Sequence, residues 1–435
     1  MSTHNMFKYK LSKYNVIHQT DIIHYYWNTY SGALIALDKD SQNYISSFSG
    51  FDDGSNEFNL LKNNGFIVFD QFDELGRVRF QEKRALFSRY SDEMRFVIAL
   101  GLGCNYTCWY CFENEKKSPI MMTSDIATDV ANYINQQLLK NPMVKKLRIS
   151  WFGGEPLLYK DTIKLISEKI IKINDESHIP FHTESMVFTN GYLLNAITLN
   201  DLQKVGVNKA QITLDGMSEN YAKNKGASSE DFNTVISNIC NAADKIDLIV
   251  RLNIPDAEEA ISISNYLLED KNLSGKIKLI LAFVRDYSLS SEKAKCAFIN
   301  YVDNHSKWIK YIYKNYGVES LHQAESPRRM NSSCGQICSN NVTIGPQGEF
   351  YRCDQSLGDE KMVVGNIWQG RFFNEIELMH YKTIEMYNDC SECNYLPVCM
   401  GGCVMHRIKN YGGFDCTAYK RWRLNQKLLE GGVYI

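Results

Sequence analysis

The pattern of apolar and polar positions changes character three times along the chain. Between residues 94 and 286, short apolar runs alternate with stretches whose apolar residues recur every three or four positions. The runs at 95–100, 147–151, 185–189, 209–214, 248–253 and 277–284 are rich in β-branched and aromatic residues and read as strands. The stretches at 124–139, 162–173 and 229–243 have the period of amphipathic helices. Strands alternating with helices predict a parallel sheet with crossover connections, here a six-unit α/β fold forming a partial barrel. Such barrels place their chemistry at the C-terminal ends of the strands.

Ahead of this region, residues 15–19, 22–28 and 33–37 predict three short strands separated by turn residues, and 41–48 and 56–63 predict helices, the second closed by Gly65. Residues 66–69 resume as a strand, and 70–93 read as a charged connector. Three strands and then helices is the order of a small winged-helix module; the plainer reading is an extension packed on the barrel. Behind the barrel, 296–316 is an aromatic, amphipathic helix, and 418–429 a basic closing helix. Between 334 and 416, cysteine and glycine replace apolar periodicity, so bound metal is expected to supply much of that segment's stability. The expected division is 1–93 winged-helix-like module, 94–300 partial barrel, 301–333 bridging helical region, 334–416 cysteine-rich domain and 417–435 C-terminal helix.

A chain of 435 residues exceeds a typical single domain, and 44% hydrophobic with 23% charged residues excludes wholesale disorder. Lys plus Arg (48) nearly balances Asp plus Glu (50), so there is no electrostatic case for nucleic acid or a membrane surface as partner. No apolar run approaches the roughly 18 residues of a membrane span. Residues 1–13 are polar and lack the apolar core of a secretory signal, so a cytoplasmic location is expected. Thirteen cysteines, an odd number, in a reducing compartment read as metal ligands rather than disulfides. The first 103 residues have none; Cys104, Cys108 and Cys111 form a trio, Cys240 and Cys296 stand alone, and eight lie between Cys334 and Cys416.

The trio has the spacing CxxxCxxC directly after a strand and the glycines Gly101 and Gly103. Three thiolates on one loop can hold three irons of a four-iron cluster and leave the fourth open to a substrate; a zinc site with a distant fourth ligand is the alternative. At these residues the sequence resembles the radical S-adenosylmethionine superfamily. The resemblance implies a [4Fe–4S] cluster whose open iron chelates S-adenosylmethionine and whose electron releases a 5′-deoxyadenosyl radical. It places Tyr110 beside the adenine. Gly153-Gly154-Glu155-Pro156 fits the family's GGEP motif, where glycines let backbone approach the methionyl amine. Asn190, in Thr189-Asn190-Gly191, and Thr213, in Thr213-Leu214-Asp215-Gly216, match segments that contact the ribose and carboxylate. Arg251 matches a strand position whose cation can pair with the methionyl carboxylate, a structural salt bridge being the other reading. Relatives often carry His-Asp and Arg where this chain has Asn220-Tyr221 and Lys225, which puts contacts from that loop in doubt.

The C-terminal cysteines resemble the SPASM domain, which carries auxiliary [4Fe–4S] clusters; on spacing alone the CxxC pair would also suit zinc. The resemblance assigns Cys334, Cys338, Cys353 and Cys403 to one cluster, with Cys338 the extra member, and Cys390, Cys393, Cys399 and Cys416 to a second. Three [4Fe–4S] clusters and S-adenosylmethionine are thus the expected cofactors. Asp354, next to Cys353, matches an acid that takes a substrate proton in the sulfatase-maturing relatives; a loop-capping role is the alternative. Cys240 and Cys296 read as small buried hydrophobes.

The N-terminal block resembles a RiPP recognition element, which binds the leader of a ribosomally made precursor peptide as an added strand. The expected function is therefore a radical peptide maturase that installs a thioether or carbon–carbon crosslink in a precursor peptide, with flavodoxin or ferredoxin as reducing partner. The alternatives are a sulfatase-type maturase oxidising Cys or Ser to formylglycine, and a non-catalytic zinc-binding scaffold. Lacking cysteine, the N-terminal block is expected to be dispensable for metal binding.

Overall fold

The computed structural model describes residues 7–20, 23–87, 92–177, 180–286, 290–380, 388–405 and 415–433. Five strands precede the barrel: β1 (Tyr9–Leu11), β2 (Asn15–Gln19), β3 (His24–Asn28), β4 (Leu34–Leu37) and β5 (Ile67–Phe69). Six parallel strands follow: β6 (Glu93–Ala99), β7 (Lys146–Phe152), β8 (His182–Thr189), β9 (Val207–Leu214), β10 (Asp247–Leu252) and β11 (Ile277–Leu281). Each matches a strand read from sequence, although β11 stops three residues early. In β7, Leu147, Ile149 and Trp151 are buried on one face. The helix Ser124–Lys140 covers the sheet with Ala127, Val130, Ala131 and Ile134, and Thr123 caps its start by accepting from the Ile126 N–H. Ser228 and Asp231 form a reciprocal capping box that starts the helix Ser229–Ala242.

The cysteine-rich segment continues the barrel sheet. Strand β12 (Asn341–Ile344) pairs in parallel with β6, and β13 (Glu349–Tyr351), β14 (Gly365–Asn366) and β15 (Gly370–Arg371) extend it antiparallel. The result is one ten-stranded sheet, ordered β11-β10-β9-β8-β7-β6-β12-β13-β14-β15. The backbone of β6 therefore fixes where Cys334, Cys338 and Cys353 sit relative to the barrel. The closing helix Cys416–Glu430 returns to the barrel through Trp422, whose Nε1 donates to His305 Nδ1 at 3.0 Å.

Strands β2, β3 and β4 form an antiparallel sheet, and β1 pairs with β5. Of the strand read at 22–28, residue 22 lies outside the described residues. The segment 70–93 is not a mere connector: Glu74–Phe87 is a helix. Its buried stripe is Glu74, Val78, Glu82 and Leu86, so two glutamates disguise the four-residue repeat. Glu74 is tolerated inside because its carboxylate accepts from the Ser12 hydroxyl and, at 3.0 Å, from the Lys13 N–H.

This block packs on the cysteine-rich segment. Trp27, 1% exposed, meets Tyr395 edge-on at 5.6 Å. Tyr14 and Val78 pack with Leu396 and Met400, and Leu86 packs with Ile337 and Val404. The Lys13 ammonium donates to Ser391 O at 2.7 Å, and Asn394 Nδ2 donates to Asn15 O at 3.2 Å. Cys240 is half-buried against the barrel core, but Cys296 is exposed. It sits near the start of the helix Ser291–Tyr316, where an apolar side chain was expected.

Candidate active site

Every barrel residue singled out from sequence lies at or just past the C-terminal end of a strand. The cysteine loop leaves β6 and is clamped by the loop after β7, backbone to backbone. Gly154 N–H donates to Gly101 O at 3.1 Å, and Glu155 N–H donates to Gly103 O at 2.9 Å. A Cβ on Gly153 would collide with Gly101 O, and one on Gly154 with Gly103 O. These glycines are thus required by the contact between the two loops, a demand visible in this structure without any ligand.

Burial pushes the thiols of Cys104 and Cys108 up and that of Cys111 up to about 11; Cys108 adds to the shift of the other two. Lys117 opposes the shift at all three, so one ammonium faces the whole trio. It is anchored by donating to Tyr106 O at 2.6 Å. Nothing in the sequence marks Lys117 beyond its charge. Among the described residues, no three His, Cys, Asp or Glu side chains converge on a point one metal ion could occupy. Three soft thiol donors on one loop, with no fourth cysteine beside them in sequence, fit an iron–sulfur cluster with one open iron.

Glu155 is fully buried, and its carboxylate is engaged by the protein. Oε1 accepts from the Leu157 N–H (3.0 Å) and the Thr189 hydroxyl (2.8 Å), and Oε2 accepts from the Asn190 N–H (2.8 Å). Its role here is to tie the end of β8 to the clamp. Asn190 then reaches the cysteine loop, Nδ2 donating to Asn105 Oδ1 at 2.8 Å. Thr213 lies opposite Arg251 in the β9–β10 register.

A second chain of contacts crosses the mouth of the barrel. The Tyr110 hydroxyl donates to Asp215 Oδ2 at 2.5 Å and accepts from Asn253 Nδ2 at 3.0 Å. Arg251 Nε donates to Asn253 Oδ1 at 3.1 Å. Lys225 Nζ lies 3.4 Å from Asp215 Oδ1, with both side chains buried. Burial and then the Asp215 charge hold the Tyr110 phenol far above its ordinary pKa, so it stays a neutral donor. In this loop Lys225 supplies the cation beside Asp215.

The eight C-terminal thiols fall into two groups by their mutual electrostatic influence. Burial raises Cys334 to about 11, with contributions from Asp354, Cys403 and Cys338; Cys353 is raised by burial, Asp354 and Cys334. Burial likewise raises Cys399 to about 11, with contributions from Cys390, Cys393 and Cys416. Cys403 and Cys416 are the exposed members. Asp354 Oδ1 accepts from Cys353 Sγ at 3.3 Å and from the Gln355 N–H at 3.0 Å. The Asp354 charge also reaches Arg251 and Glu113. Glu113 was missed from sequence. It is 3% exposed, its Oε1 is buried without a hydrogen-bond partner, and burial followed by Asp354 pushes its pKa up to about 7. The available signal was an acid two residues past the third cysteine of the trio.

Residues 98–259, which carry the trio, the clamp and Arg251, match the family Radical SAM superfamily. This chain carries a radical SAM domain. The radical SAM cyclopropyl synthase TigE of Paramaledivibacter caminithermalis is 25% identical, aligned over 97% of this chain and 95% of its own. Among solved structures, native anSMEcpe with bound AdoMet superposes with a TM-score of 0.58 at 16% identity, covering 78% of this chain and 98% of that one. Streptococcus suis SuiB bound to S-adenosylmethionine superposes with a TM-score of 0.53 at 14% identity, covering 94% and 99%. These structural likenesses establish the radical SAM fold. The family implies a [4Fe–4S] cluster and S-adenosylmethionine. No described helix is long and apolar enough to cross a membrane.

Proposed function

We propose that this radical SAM enzyme is a peptide maturase that removes hydrogen from a ribosomally made precursor and closes a bond within it. The observation that carries the reading is the near end-to-end alignment with a cyclopropyl synthase, N-terminal block and cysteine-rich segment included. A cyclopropyl group is closed by a carbon–carbon bond, which favours the carbon–carbon branch over a thioether. The β2–β3–β4 sheet offers edges on which a leader can add as a strand.

When bound, the cluster and S-adenosylmethionine supply a hydrogen-abstracting 5′-deoxyadenosyl radical. Cys104, Cys108 and Cys111 hold the cluster, and Tyr110, Gly153, Gly154, Asn190, Thr213 and Arg251 form the cosubstrate's surroundings. Glu155 orients these loops. Closing each bond removes a second hydrogen as a proton and an electron. Asp354 would accept the proton, and Cys334, Cys338, Cys353 and Cys403 would hold a cluster able to take up the electron. Cys390, Cys393, Cys399 and Cys416 hold a third cluster, and flavodoxin or ferredoxin delivers the first electron. The proposed domain division keeps 1–93, 334–416 and 417–435 as read from sequence, with the helix Ser291–Tyr316 crossing the boundary placed after residue 300, and the proposed location is the cytoplasm.

Asp354 also favours a second reading, a sulfatase-type maturase, because it follows Cys353 directly and its charge reaches Arg251 in the barrel. Incubating the reconstituted, reduced enzyme with S-adenosylmethionine and, in parallel, a candidate precursor peptide or a sulfatase-derived peptide separates the two. Loss of two hydrogens with no aldehyde formed supports bond closure. Aldehyde formation in a sulfatase-derived peptide, with the precursor unchanged, moves the assignment to the second reading.

A further inference from the structure

The buried pair Asp215–Lys225 needs a reason to exist. Taking two charges out of water costs several kcal/mol per ion, and such a pair is a poor device for stability alone. Both side chains are almost wholly buried, at 0% and 2% exposure. What the pair does in space is meet the cysteine loop at three levels. Asp215 gives Tyr110 an ionised acceptor, and charge-assisted hydrogen bonds are the stronger kind. The main chain at Lys225 accepts from the Thr107 N–H at 3.0 Å, and that at Asn224 accepts from the Trp109 N–H at 3.3 Å. The Asn224 side chain ties the pair's two ends together: Nδ2 donates to Asp215 O at 3.2 Å, while Oδ1 accepts from Trp109 Nε1 at 3.1 Å.

We propose that Asp215 and Lys225 are positioning residues for S-adenosylmethionine: the ion pair fixes the Tyr110 ring, and with it one wall of the cosubstrate site, without contributing to cluster ligation. The proposal rests on the reading that S-adenosylmethionine binds beside Tyr110. Tyr110 hangs between two anchors, Asp215 on one side and Asn253 with Arg251 on the other. Removing the acidic acceptor frees the ring to turn about its remaining bond to Asn253. The Cys104, Cys108 and Cys111 thiols stay in place, because the clamp from Gly154 and Glu155 is untouched.

The test uses the full chain, anaerobically reconstituted, with S-adenosylmethionine binding followed by equilibrium dialysis and iron counted in the same samples. Single charge removals would strand the partner ion, so the informative variant is Asp215→Leu with Lys225→Met, which takes both charges away together. The expected result is a Kd for S-adenosylmethionine raised about tenfold or more, with iron content unchanged. Tyr110→Phe, which leaves the pair intact and removes only the hydroxyl, should give a similar rise, and adding it to the double variant should add little. Lys225→Arg should bind more tightly than the double variant. In turnover, KM for S-adenosylmethionine should rise while kcat for its cleavage changes little. Unchanged Kd in both the double variant and Tyr110→Phe, or effects that simply add, overturns the proposal. Failure of the parent enzyme to bind S-adenosylmethionine at all overturns the reading beneath it.

Discussion

Replacing Gly154 with alanine tests the contact on which the cysteine loop depends. The new Cβ would collide with Gly103 O and sit 2.6 Å from its carbonyl carbon and 3.1 Å from Leu102 O. Comfortable carbon contacts begin near 3.5 Å, so one loop must retreat from the other. Retreat breaks the bonds Gly154 N–H to Gly101 O and Glu155 N–H to Gly103 O. Each is worth about 1 kcal/mol net, and forced overpacking costs about 1–3 kcal/mol, so the loop is destabilised by about 3–5 kcal/mol. The damage is local, because the barrel strands β6 and β7 keep their own ladder. Gly154→Ala should therefore fold with a near-native circular dichroism spectrum but lose iron from the trio. Of about twelve irons expected for three four-iron clusters, about four should be missing, and S-adenosylmethionine cleavage should fall at least about a hundredfold. A variant with full iron and undiminished cleavage would refute the reasoning that these glycines exist for the close approach of two loops.

Replacing Cys104, Cys108 and Cys111 together with alanine should abolish 5′-deoxyadenosine formation while the C-terminal iron stays bound, as read by chromatography and iron analysis. Cys399→Ala or Cys416→Ala should lower iron content and solubility together, since ligation holds that segment folded; an equally soluble variant with full iron would show the ligands to be misassigned. Trp27→Ala removes a buried indole from against Tyr395, a loss of about 3–5 kcal/mol, and under mild urea should release the iron that the neighbouring Cys393 would hold. By the same packing, a chain starting near residue 93 should lose C-terminal iron, because Tyr395, Leu396, Val398 and Met400 would be laid bare.

That last expectation reverses the one drawn from sequence, and the reason is instructive. The barrel was legible because its strands carry regularly spaced buried apolar residues, as Leu147, Ile149 and Trp151 do in β7, and its helices bury an uninterrupted stripe, as Ala127, Val130, Ala131 and Ile134 do. The helix Glu74–Phe87 was not, since Glu74 and Glu82 occupy buried positions that only tertiary partners make tolerable. The docking of Trp27 on Tyr395 links positions far apart in the chain, and no local pattern announces it. Within the site, the cysteines and the GGEP loop are marked by spacing. The roles of Lys117, Glu113 and the Asp215–Lys225 pair depend on which loops the fold brings together, and isolated charges in a sequence carry no such information. Gly153 and Gly154 were found for their ligand, yet the structure already requires them for the neighbouring loop.

The central claim, that this chain uses radical chemistry on a peptide, is met most directly by one reaction. The reconstituted, reduced enzyme is mixed with S-adenosylmethionine and a precursor peptide deuterated on its carbon-bound hydrogens, and both products are weighed by mass spectrometry. The expected products are 5′-deoxyadenosine that has gained deuterium and a peptide lighter by two of its hydrogen isotopes. Deuterium-free 5′-deoxyadenosine beside an unaltered peptide, from protein with its full complement of iron, would contradict it.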